Sequence, residues 1–310
     1  MNRNLKIAAN MLELIGDIPL VRLNRIGQET GAEILVKPEF LNPSGSMKDR
    51  VALRMVEEAE AAGHLKPGGR IVESSTGNTG AALAMVSAVK GYEFTAFVPG
   101  DVADAGRMAI MESLGASFRP FDVDGEYGDL AGRRQCQELS EAEGDVWWAR
   151  QFSNPHNIAA HYETTAREII EKTDGQLDAF VASVGSGGAL LGVGKALKEH
   201  NSQILIVGVE PATWPGLSTE QPIVPGLSGG IMVELRESGI VDEVISLDDP
   251  AAIAMARRLG REEGMFCGIS SGANVAAAVQ IALRLGAGRR IVTCLCDSRD
   301  RYFFNEAYVT

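Results

Sequence analysis

The chain alternates short β-branched or aromatic runs with longer stretches whose apolar positions recur at helical spacing. The short runs predict strands at 34–36, 70–73, 94–98, 117–121, 179–183, 203–209, 243–246 and 290–295. The longer stretches predict helices at 49–62, 79–89, 107–114, 130–143, 158–171, 188–199, 250–263 and 272–285. Such alternation implies βαβ units, mostly parallel buried sheets, and ligands bound beyond the carboxyl ends of the strands. Residues 211–230 carry no period and are too long for an ordinary strand-to-helix connection, so they read as a functional loop or flap.

At 310 residues the chain has room for about two domains of roughly 150 residues each. Hydrophobic residues make up 45% and charged residues 23%, ordinary values for a globular protein. No apolar stretch approaches the ~20 residues of a membrane span, and residues 1–10 lack the apolar run of a signal peptide. The net charge of −12 argues against a nucleic-acid or anionic-membrane binder, which would carry a basic face. Cys136, Cys267, Cys294 and Cys296 fit neither a disulfide scaffold nor a zinc site, because no histidine or second cysteine pair accompanies Cys294 and Cys296. They read as reduced thiols, no metal is expected, and a cytoplasmic location is expected. Glycine, at 35 residues, exceeds its average share of about 7%, which points to tight turns and close backbone approaches.

Three glycine-marked turns lead into predicted helices. In Asn42-Pro43-Ser44-Gly45-Ser46-Met47-Lys48-Asp49-Arg50, Ser46 is a candidate N-cap and Lys48 falls in the first helical turn, against the helix dipole. Two readings stand: an exposed lysine tolerated at ~0.5 kcal/mol, or an amine kept for Schiff-base chemistry with its pKa lowered by a pocket. In Glu73-Ser74-Ser75-Thr76-Gly77-Asn78-Thr79-Gly80, open N–H groups and the Ser75, Thr76 and Thr79 hydroxyls make either a carboxylate-sized pocket or a Ser/Thr-rich cap. In Ser183-Val184-Gly185-Ser186-Gly187-Gly188-Ala189, glycines allow several N–H groups to converge on a phosphate. A Walker loop is excluded because Ala196 follows Lys195, and the dinucleotide fingerprint has Leu190 where a small residue belongs. A Schiff-base lysine, a carboxylate pocket and a phosphate nest together describe a pyridoxal 5′-phosphate site for an amino acid.

With these turns, Leu14-Ile15-Gly16-Asp17-Ile18-Pro19-Leu20, Gln151-Phe152-Ser153-Asn154-Pro155, Gly268-Ile269-Ser270-Ser271-Gly272 and Cys296-Asp297-Ser298-Arg299-Asp300-Arg301-Tyr302, nearly the whole chain resembles the β-family (fold type II) of pyridoxal-phosphate enzymes. Within it the likeness is to the cysteine synthase (O-acetylserine sulfhydrylase) family, in its B-type form. The resemblance implies an α/β fold of two three-layer αβα domains with mostly parallel twisted sheets, like the β subunit of tryptophan synthase. It implies a smaller mobile domain at 46–152 that binds the substrate carboxylate, and a larger cofactor-phosphate domain at 1–45 plus 153–310. Lys48 would be the Schiff-base lysine and proton carrier, and Asn78 would bond the cofactor ring oxygen. Gly185, Ser186, Gly187, Gly188 and Ala189 would cradle the phosphate. Ser75, Thr76, Gly77, Asn78 and Thr79, with Gln151, would hold the substrate carboxylate. Cys296 would lie near the pyridine nitrogen, with Ser270 a further contact on that ring edge and Asp297 turned to the other side of the strand.

The implied reaction is β-replacement, forming L-cysteine or a related β-substituted alanine from O-acetyl-L-serine and sulfide through an aminoacrylate. The implied partners are these small molecules, a second copy in a homodimer, and serine acetyltransferase. The chain departs from the family pattern at Asp17-Ile18, Ser75-Thr76, Ala189, residues 225–230 and Arg299, all near the substrate. Alternatives therefore stand: O-phosphoserine as donor, with Arg236 a candidate for its phosphate; a nucleophile other than sulfide, as in cyanoalanine, diaminopropionate or cystathionine synthesis; or a serine/threonine dehydratase. His64, His156, His161 and His200 lack metal-ligand spacing and read as structural, Trp147 and Trp148 as packing, and Trp214 as a possible pocket lining.

Overall fold

The computed structural model describes residues 7–100, 105–122, 130–212 and 230–302; Trp214 and residues 225–229 of the flap lie outside them. All eight predicted strands form. They are joined by β1 (Val21–Arg22), which the sequence pattern does not reveal, and by β6 (Val146–Trp148), which carries the paired tryptophans.

Six strands make one sheet in the order β1, β2 (Glu33–Pro38), β10 (Arg290–Leu295), β7 (Ala179–Ser183), β8 (Leu205–Pro211), β9 (Glu243–Leu247). Every neighbouring pair is parallel except β1 with β2. Alternation along β10 sends Ile291 and Leu295 to one face, against the Ile269–Leu285 helix through Val275, Ala278 and Ile281. Val292 and Cys294 go to the other face, against Leu190, Leu191 and Val193 of the Gly188–His200 helix. Helices on both faces explain why these strands are apolar throughout rather than alternating.

The second sheet has the order β5 (Ser117–Phe121), β4 (Glu93–Pro99), β3 (Arg70–Ser74), β6, all parallel. One face packs Ile71, Phe94 and Ala96 against Val51 and Met55 of the Lys48–Ala61 helix and Leu83 of the Asn78–Lys90 helix. The other packs Val72, Phe97 and Trp148 against Cys136 of the Leu130–Ala142 helix.

The helix expected over 158–171 is three pieces, Pro155–Ala160, a π-turn over His161–Ala166, and Arg167–Lys172. A π-turn inserts a residue into the helical repeat without disturbing the apolar stripe enough to be seen in sequence. A helix at Gly230–Glu237 closes the span that the sequence leaves irregular.

A buried four-charge network fixes the Lys48–Ala61 helix to the larger sheet. Arg50 donates from Nε to Glu39 at 2.8 Å and from Nη1 to Glu168 at 2.6 Å, and Lys37 donates to Glu168 at 2.5 Å. Burial alone would raise the Glu168 pKa, but Arg50 and Lys37 outweigh it and hold it at about 2.

Candidate active site

The carboxyl ends of β2, β3, β7 and β10 lead into one region. Lys48 arrives there because the Met47 N–H donates to the Cys296 carbonyl at 2.9 Å and the Ser298 N–H to the Gly45 carbonyl at 3.0 Å, pinning the turn to the end of β10. Ser46 forms a β-bridge with Asp297, and its Oγ accepts the Lys48 N–H at 3.2 Å. The cap position itself falls one residue later than the sequence suggests, on Met47. Asp49 does not serve the helix start: its carboxylate takes the Ser44 N–H at 2.6 Å, and burial pushes its pKa up to about 6.

Lys48 is half-buried, and among the described residues no carboxylate lies within ion-pair reach of its amine. Desolvation lowers its pKa below the ordinary lysine value, against the opposing pull of Cys296 and Asp297. Of the two readings of this lysine, an exposed spectator does not fit. A desolvated amine, readily neutral, is a nucleophile suited to an aldehyde.

Residues 75–77 join β3 to the Asn78–Lys90 helix, which has Gly77 at its cap, no capping side chain there and no acid in its first turn. Ser75 Oγ accepts the N–H groups of Gly77 at 3.3 Å and Gly80 at 3.1 Å. Thr79 donates to Gln151 Oε1 at 2.5 Å, which leaves the Gln151 Nε2 unengaged by any described residue. Thr76 is half-buried beside them. The arrangement offers backbone N–H groups and one side-chain amide to an anion. Asn78 donates one amide N–H to Asp297 Oδ2 at 2.8 Å and accepts from Arg301 at 2.8 Å, which leaves its second N–H without a partner among the described residues.

The third turn brings Gly187 to φ +90° and starts the Gly188–His200 helix without a capping side chain or an acid in its first turn. Gly185 is exposed, Ala189 half-buried, and Ser186 buried with its Oγ accepting from Asn157 at 3.0 Å. A Cβ at Gly188 would stand 2.1 Å from Asn157 Oδ1. An electropositive, uncapped helix end with glycine at each close approach fits a phosphate.

Cys296 lies between these turns. Its Sγ is 3.9 Å from Ser183 Oγ and accepts from Asn274 at 3.4 Å. Burial first, and Asp297 second, push the thiol up to about 12, so it is neutral. Asp297 faces a different set of partners, Asn78 and Tyr302, as its adjacent position implies. Ser270, the expected further contact on this edge, is exposed. Its neighbour Ser271 is buried and accepts the Cys296 N–H at 2.9 Å, because helical spacing puts 271, 274, 275 and 278 on the inward face. His161, read from sequence as structural, is fully buried, and the charge of Lys48 adds to burial in pulling its pKa well below 6.5. The π-turn that starts at His161 marks the position in the structure but leaves no signal in the sequence.

A desolvated amine and two glycine-marked helix starts at the strand ends of two mostly parallel sheets fit an enzyme that works on amino acids through a phosphorylated aldehyde cofactor. The chain belongs to the pyridoxal-phosphate dependent enzyme family, whose model matches residues 11–297. It is 38% identical over 303 residues to the cysteine synthase of Staphylococcus aureus, with 96% of each chain covered. Among solved structures it resembles O-acetyl serine sulfhydrylase isoform 3 from Entamoeba histolytica at 35% identity and a TM-score of 0.89, covering 100% of this chain and 94% of that one. It also resembles O-ureido-L-serine synthase at 37% identity and a TM-score of 0.88, covering 98% and 96%. Among the described residues no helix is long and apolar enough to cross a membrane.

Proposed function

We propose that this enzyme forms L-cysteine from O-acetyl-L-serine and sulfide by β-replacement. The observation that carries the reading is the Lys48 amine, desolvated and without an ion-pair partner among the described residues, set between two helix starts with glycine at the cap and a neutral thiol. When bound, pyridoxal phosphate supplies an aldehyde for the substrate amine and an electron sink that acidifies the α-C–H bond. Gly185, Ser186, Gly187, Gly188 and Ala189 hold the phosphate, and Ser75, Thr76, Gly77, Thr79 and Gln151 hold the α-carboxylate. Asn78 steadies the cofactor's ring side. Lys48, once its amine is released, takes the α-proton onto Nζ and returns it after the nucleophile has added. Cys296, a neutral thiol, puts no negative charge at its end of the pocket, so expulsion of the β-leaving group is favoured over longer-lived carbanion chemistry. Residues 46–152 form the smaller unit that closes over the substrate and excludes water.

Likeness to the cysteine synthase of Staphylococcus aureus supports sulfide as the nucleophile. Likeness to O-ureido-L-serine synthase favours a second reading, in which a larger oxygen nucleophile takes the place of sulfide. The proposal extends to a homodimer in the cytoplasm, with serine acetyltransferase as a partner. Purified holoenzyme given O-acetyl-L-serine and a nucleophile panel, with products identified by mass spectrometry, tests it. L-Cysteine as the main product is expected. Keto acid and ammonia from L-serine alone would make it a dehydratase instead.

A further inference from the structure

Glu73 is buried near the end of β3, and nothing in the reaction above uses it. Its Oε1 accepts the Ser74 N–H at 3.0 Å and the Trp148 indole N–H at 3.3 Å, and its Oε2 accepts the Gln151 N–H at 3.0 Å. Burial pushes its pKa up to about 7 against those three bonds, and Arg133 is the charged group that acts on it. The Arg133 guanidinium lies 3.5 Å from the centroid of the Phe152 ring, next to Gln151.

The two halves of the carboxylate site come from segments that the sheet holds together only as far as Trp148. β3 and β6 pair through Val72 and Trp148, and the Ala149 N–H reaches the Val72 carbonyl at 3.1 Å. Beyond that point the Glu73 side chain continues the cross-strand tie, binding the last residue of its own strand at Ser74, next to the loop, and the neighbouring segment at Gln151. The Thr79–Gln151 bond closes the ring on the far side. We propose that Glu73 is a positioning residue for amino-acid recognition: it fixes the separation between the Ser75–Thr79 loop and Gln151 so that both reach one carboxylate. The inference rests on the reading that these residues bind the substrate carboxylate.

Glu73→Gln tests it, because both oxygens accept N–H donors and an amide, turned either way, aims its NH2 at one of them. The KM for O-acetyl-L-serine should rise about tenfold or more, in line with loss of a charged hydrogen bond, while kcat falls less than threefold. The affinity of holoenzyme for L-alanine, which has the carboxylate but no leaving group, should fall by the same factor in calorimetry. Glu73→Asp, which keeps a carboxyl group on a shorter stem, should show the same split and serves if the glutamine variant does not fold. Wild-type KM and L-alanine affinity in a folded variant, or a fall in kcat with KM unchanged, would overturn the proposal. Failure of the wild-type protein to turn over O-acetyl-L-serine would instead remove the functional reading beneath it.

Discussion

Asn78 and Asp297, 219 positions apart, meet through a 2.8 Å hydrogen bond from the amide Nδ2 to Oδ2. The bond joins the start of the helix after β3 to the segment after β10, and so ties the smaller sheet to the larger. The Tyr302 hydroxyl donates to the same oxygen at 2.7 Å. Asp297 is also one of the two groups that hold the Lys48 pKa up against burial. Asp297→Asn removes that charge while keeping an oxygen for the two donors. The Lys48 pKa should fall further, moving the onset of pyridoxal-phosphate capture by apoprotein to lower pH. Capture rates measured across pH for both proteins check this.

Gly188→Ala should weaken cofactor binding about tenfold or more, since its Cβ would sit 2.1 Å from Asn157 Oδ1. Asn157 cannot yield easily, because its Nδ2 is held by the Gln151 carbonyl at 2.7 Å and Ser186 Oγ at 3.0 Å. The helix start must move instead, and the phosphate nest with it. Equilibrium dialysis of pyridoxal phosphate against apoprotein reads the change.

Glu39→Gln should destabilise the fold by about 3 kcal/mol or more, because it leaves Arg50 and Lys37 buried with one carboxylate between them. Urea unfolding of the apoprotein measures this without interference from bound cofactor.

Acid should weaken the same network in a defined window. The Glu168 pKa of about 2 lies below its ordinary value, so its contribution is complete above about pH 5 and is lost as pH falls toward 2. Asp49 and Glu73, raised to about 6 and about 7, act with the opposite sign and favour the folded state more as pH falls through those values. The stability gap between wild type and Glu168→Gln should therefore shrink as pH drops from 5 to 3, and a constant gap would contradict the assignment.

Lys48 and the 183–189 turn are legible in the sequence because each is local: a lysine against a helix dipole, and glycines between a strand and a helix. β6 is short but carries two tryptophans, whereas β1 is two residues long and leaves no period to read. Ser270 and Ser271 are indistinguishable in sequence, since inward facing depends on where the helix begins, and boundaries are the least determined feature. Glu73 looks like the polar end of a strand until Trp148 and Gln151 are folded onto it. His161 looks like any lone histidine in a helical pattern. Long-range pairing, absent from local periodicity, decides β1, Glu73 and His161.

The most direct measurement concerns the Lys48 amine. Holoenzyme reduced with borohydride, digested and mapped by mass spectrometry should carry the pyridoxyl group on the peptide containing Lys48, and Lys48→Ala should be folded, colourless and inactive. A pyridoxyl group on any other lysine, or a yellow and active Lys48→Ala protein, would contradict the assignment of this residue.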